Sequence, residues 1–92
     1  MSWNYRIVRH RNPLPKHMKK KLKENYPEGY VEYFAIHEAY YNKKGKITSL
    51  TLNPVTVQTE THNKSEFNRV LKWMRQAVNK PVIDYETCKE IK

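Results

Sequence analysis

The chain has 92 residues, enough for one small domain with a modest core. Eighteen Lys and Arg against nine Asp and Glu give a net charge of +9 at pH 7, which calls for an anionic partner. Aromatics make up 12%, with seven tyrosines and two tryptophans, too many for a disordered chain. No apolar run is long enough for a membrane helix, and MSWNYRIVRH has no apolar core of a signal peptide. A lone Cys88 makes no internal disulfide, which fits a reducing cytoplasm.

In Trp3 to His10, residues Trp3, Tyr5 and Ile7 share one parity, and Asn4, Arg6, Val8 and His10 the other. This alternation predicts a strand with one buried face. Pro13 and Pro15 end the pairing, because proline gives the ladder no donor. Lys16 to Tyr26 is read as a marginal turn or short helix, since its lysines repel one another. Tyr30 to Asn42 is the strongest strand signal, apolar on both parities, as in a central strand covered on both faces. Asn42 to Gly45 reads as a hairpin loop and Lys46 to Leu52 as the antiparallel return. Val55 to His62 is polar and extended.

From Asn63 to Lys80, residues Phe67, Val70, Leu71, Met74, Ala77 and Val78 form one helical stripe. Asn63 is placed to cap it, with Glu66 three residues on. Pro81 to Tyr85 adds a short edge strand, and residues 87–92 read as a frayed tail. The predicted fold is α+β: a three-stranded, mainly antiparallel sheet (β-β-β-α, with a short final β) and one amphipathic helix on one face. It forms a single domain over 1–92, with a basic insertion at about 11–29.

Three separated segments, WNYRIVRH at 3–10, AIHEAYYNKKGKI at 35–47 with Asn53-Pro54-Val55, and KPVIDYE at 80–86, occur in this order. Together they resemble a family of small bacterial α+β proteins that carry WNYRVVRH-like, YAIHEVYYD-like and KPVLDYE-like segments. The resemblance implies a compact α+β domain and implies no activity. Members usually join the first two strands by a short acidic turn, whereas here the join is long and basic. A function resting on that join is therefore particular to this chain.

The join is the densest charge in the sequence. Arg9, Arg11, Lys16, Lys19, Lys20, Lys21 and Lys23 lie between positions 9 and 23 with no acid among them. Such a cluster is suited to phosphate contacts, each releasing counterions. Arg69, Lys72 and Arg75 fall on the helix face opposite its apolar stripe and extend the candidate nucleic-acid surface. Tyr33, His37 and Tyr41 share one face of the second strand. They read as a stacking or interface patch if that face is open, and as packing if it is covered.

His10 and His37 are expected on neighbouring strands, so they can pair. Two histidines do not complete a metal site, which needs three or four ligands. No CxxC, HExxH or nucleophile-elbow spacing occurs, and two glycines make no phosphate-cradling loop. His37 and Glu38 are adjacent on a strand and point to opposite faces. The expectation is a non-catalytic cytoplasmic protein without cofactor, metal or membrane attachment. It engages nucleic acid or a nucleoprotein through its Lys/Arg-rich insertion. The alternative is a protein–protein module, a small inhibitor or adaptor encoded on a mobile element, acting through a sheet edge or aromatic patch. A protein partner or a homodimer fits that alternative.

Overall fold

A computed structural model of the chain describes residues 2–18, 24–56 and 63–91. Strand β1 is Ser2–Pro13, β2 is Tyr30–Tyr41 and β3 is Ile47–Leu50. Helix α1, Lys64–Arg75, continues as a 3-10 turn over Gln76–Asn79, followed by β4, Ile83–Asp84, and β5, Lys89–Glu90. The five strands form one sheet in the order β3-β2-β1-β4-β5. It is mixed: β1 pairs with β4 in parallel, and every other pairing is antiparallel.

The α+β class agrees with the sequence reading; among the described residues there are one α-helix and a sheet of five strands, where the sequence predicts three and a short final strand. β4 is the expected short strand within Pro81 to Tyr85, whereas β5 is not expected, its two residues being too short to carry an alternation signal. Lys89 and Glu90 pair with β4, so β4 is not an edge, and chain expected to fray is held in the sheet. Ile91 N–H adds a 2.7 Å bond to the Val82 carbonyl. Between β4 and β5, Cys88 takes a left-handed φ of 57°, and its N–H donates to the Asp84 carbonyl at 2.8 Å.

Strand β1 also runs past His10 to Pro13, which pairs with Tyr30. Pro13 ends the ladder, where its missing donor costs nothing, and the Leu14 N–H bonds the Gly29 carbonyl just beyond. Arg11 and Asn12 thus belong to the strand, and the connection spans 14–29 rather than 11–29. Of the expected turn or helix there, Lys16–Met18 form a 3-10 turn, and residues 19–23 lie outside the described residues. So does most of the stretch expected to be extended before α1, His62 included.

The β2–β3 loop forms as the sequence predicts. Gly45 has φ 77°, and the Asn42 side-chain oxygen accepts from Lys44 N–H at 2.9 Å and Lys46 N–H at 3.0 Å. Asn63 caps α1, its side chain accepting from Ser65 N–H at 2.9 Å.

Antiparallel register places Asn4, Arg6, Val8 and His10 on one sheet face with Ala39, His37, Ala35 and Tyr33. Val8, Ala39 and Ile83 make the buried cluster of that face, with Tyr41, Ile47, Leu50 and Tyr85 packed against it. The buried face of β1 is therefore its more polar parity. The sheet curls around this cluster, as twisted sheets do. β3 and β5, at opposite ends of the strand order, line one cavity of about 430 Å³ through Ile47, Thr48, Lys89 and Glu90.

The other face carries Trp3, Tyr5, Ile7, Arg9 and Arg11 beside Tyr40, Glu38, Ile36, Phe34 and Glu32. α1 and its 3-10 extension pack on it, burying Met74 and Ala77. Leu71 and Val78 of the predicted stripe stay exposed, because the helix covers only part of the sheet. Coverage of β2 on both faces is likewise incomplete, and Phe34 is 60% exposed.

Candidate functional site

β1 and β2 place His10 and His37 on one face, four residues apart in register, with His10 opposite Tyr33 and His37 opposite Arg6. Their Nε2 atoms are 2.7 Å apart. His37 is fully buried and His10 nearly so. His37 Nδ1 lies 2.9 Å from the Thr51 carbonyl, which only accepts, so this nitrogen carries the proton. With both rings neutral, His37 Nε2 accepts and His10 Nε2 donates. His10 stacks on Tyr33 at 4.7 Å and on Tyr85 at 4.3 Å. Burial lowers the His10 pKa from its ordinary value, and His37 beside it lowers it further. The pair is thus a ring-clamped hydrogen bond inside the curled sheet.

Arg6 lies directly opposite His37 on the same face and is buried as a cation. Its guanidinium donates to the Tyr41 hydroxyl at 2.7 Å, the Pro81 carbonyl at 2.7 Å and Glu90 Oε2 at 3.0 Å. Tyr41 in turn donates to Asn4 Oδ1 at 2.6 Å. This network ties β1, β2 and β5 to the turn before β4. Nothing in the sequence reading singled out Arg6. The available signal was its place on one parity with Val8 and His10.

Tyr33, His37 and Tyr41 do share a face, as expected, but the face is covered. His37 is sealed in, and Tyr41 is half-buried under Arg6. Only Tyr33 keeps an exposed ring, so these residues do not form an open stacking platform.

The predicted cationic residues separate into two kinds. Arg9 lies 3.7 Å from Asp84, Arg11 3.4 Å from Glu32, and Arg69 pairs with Glu66 one helical turn away. With Arg6–Glu90, these are the ion pairs among the described residues, and each uses arginine. Lys16, Lys72 and Arg75 are exposed without an ion pair. Lys19, Lys20, Lys21 and Lys23 lie outside the described residues. Among the described residues no three or more His, Cys, Asp or Glu gather as metal ligands, and no helix is long and apolar enough to cross a membrane.

A second constellation lies outside the sequence reading. Trp3 and Tyr5 of β1 face Trp73, Gln76 and Lys80 across a groove of about 440 Å³, with Asn4 at its floor. Trp3 is 46% exposed and Trp73 49%. Trp3 meets Tyr5 edge to face, at 5.3 Å and 89°. Burial and neighbouring Glu38 both raise the Tyr5 pKa. The shared parity of Trp3 and Tyr5 was legible, but the seat of α1 across them was not. Comparison of the chain with protein families, curated proteins and solved structures finds no match.

Proposed function

We propose that this protein is a non-catalytic binder of nucleic acid or of a nucleoprotein, held by its lysines. The observation that carries this reading is the division of labour among the cations. Among the described residues arginine makes every ion pair, and the lysines make none. Four arginines thus neutralise acids within the fold, while the described lysines carry no ion pair and are available to an outside anion. Lysine suits this role as a flexible point charge that contacts phosphate without demanding a fixed geometry. Lys43, Lys44 and Lys46 at the β2–β3 turn add to the exposed set. The role first given to Arg9 and Arg11, anchoring phosphate at the base of the basic segment, passes to the lysines. A non-catalytic reading is also supported by the histidine pair, whose nitrogens are engaged with each other and with Thr51 inside the sheet.

Fluorescence anisotropy of a labelled oligonucleotide at low and high salt tests this. Affinity should fall with log salt at a slope of about −0.7 per phosphate contact on single strands and about −0.9 on duplex. Replacing Lys16, Lys19, Lys20, Lys21 and Lys23 by glutamine should flatten the slope and weaken binding. Undiminished binding by that variant would reject the reading. One observation favours a second reading, a protein-interaction module: Phe34 is 60% exposed in the middle of β2. Its signature is a stable complex with a protein that salt barely weakens.

A further inference from the structure

The groove between β1 and the end of α1 has features that charge alone does not explain. It holds both tryptophans of the chain. Each leaves close to half of its surface in solvent, although indole is among the side chains that gain most from burial. Tyr5 completes an aromatic wall, and Lys80 with Gln76 supplies the polar side. The Asn4 carboxamide oxygen is already taken by Tyr41. Among the described residues no carboxylate lines the groove, and Glu38 stands beside Tyr5 rather than beside the tryptophans. An aromatic site for a cationic ligand, such as a methylated ammonium, gains from a nearby acid and loses from a lysine. Here the sign is reversed. Lys80 stands at the groove, Lys72 and Arg75 are exposed on the adjoining helix, and the chain carries +9.

A ligand that offers a flat ring together with negative charge fits this combination, and a nucleotide base with its phosphate is such a ligand. We propose that the groove is a base-stacking site for single-stranded nucleic acid. An unpaired base lies against the indoles, Gln76 meets its edge, and Lys80 with Lys72 takes the flanking phosphates. The volume of about 440 Å³ lies within the range of small-ligand pockets, roughly 300–1,000 Å³. Bases stacked inside a duplex offer no free face, so the site selects single strands. The inference rests on the nucleic-acid reading above and adds strand preference and a site on a different part of the surface.

The two tryptophans make the test direct, because intrinsic fluorescence reports on this groove alone. Oligothymidine and oligouridine are titrated against the full chain, with tryptophan emission and anisotropy of a labelled strand read in parallel. A blunt duplex of equal length serves as comparison. The expected result is saturable quenching by both single strands and little by the duplex. W73L should weaken single-strand binding roughly five- to 150-fold, the range found for loss of one stacked base. K80E, which alters no packed side chain, should weaken it as well and guards against a folding defect in W73L. Binding seen by anisotropy without quenching, and unchanged by either substitution, overturns the stacking site and leaves the lysine reading standing. Binding to neither nucleic acid overturns both. Quenching by a proline-rich peptide in place of the oligonucleotides also overturns the proposal.

Discussion

Arg6, His10 and His37 are ionisable, and all three are buried beside Val8 and Ile83. Burial of ionisable groups is stabilising only while each is paired or neutral. For His10 the sign is set by its lowered pKa. The unfolded chain, with an ordinary value of 6.5, takes up the proton before the folded chain does. Stability from this residue is therefore level above that value and is lost as pH falls below it. The urea midpoint should drop through this window, and H10Q should follow a shallower line; parallel curves would exclude the residue as the source. Arg6 is held by three acceptors from three parts of the chain. R6M removes the donor to the Pro81 carbonyl, the Tyr41 hydroxyl and Glu90, and should cost about 1–3 kcal/mol by urea denaturation. E90Q should cost less, under about 1 kcal/mol, because the Glu90 side chain is 44% exposed and keeps its water.

Each element owes its form to a different balance. The β1–β2 pair is long, twelve residues a side, but two strands alone are marginal in water, so it relies on the flanking strands and the small core. α1 depends more on its ends, because few of its side chains are buried. N63A removes the acceptor for the Ser65 N–H and should cost about 1 kcal/mol, read as a lower midpoint in urea; N63D should cost little. A loss near zero would mean that packing of Met74 and Ala77, rather than the cap, decides whether α1 forms. The helical stripe was legible because its spacing is a property of the chain alone. Its incomplete burial was not, since Leu71 and Val78 stay exposed through the area of sheet that α1 covers. β5 is a similar case: Lys89 and Glu90 are a strand only because β4 is alongside.

For the whole molecule, the radius of gyration is 16.2 Å and the extents are 47 × 36 × 21 Å. A globular chain of this length has a radius of about 12 Å. The difference reflects a long twisted hairpin carrying a small core at one region, with one short helix on the opposite face. Small-angle scattering of the monomer should give a radius near 16.2 Å; a value near 12 Å would require the hairpin to fold onto the rest. This flat shape leaves much surface for its mass and spreads the lysines over it. Binding of an extended anion along that surface suits such a shape better than enclosure of a small substrate.

By itself, the sequence determined the α+β class, the helix with its Asn63 cap, the Gly45 hairpin and the neighbouring placement of His10 and His37. These are short-range or pairwise properties, carried by periodicity, capping and loop chemistry. Tertiary structure alone decided which parity of β1 is buried, since the apolar-rich parity faces a helix too small to cover it. It also decided which cations are spent inside the fold, because Asp84 and Glu32 meet Arg9 and Arg11 only through strand register. Finally, it brought two tryptophans seventy positions apart into one groove. No local pattern encodes that meeting, because it depends on where a packed helix comes to rest on a sheet.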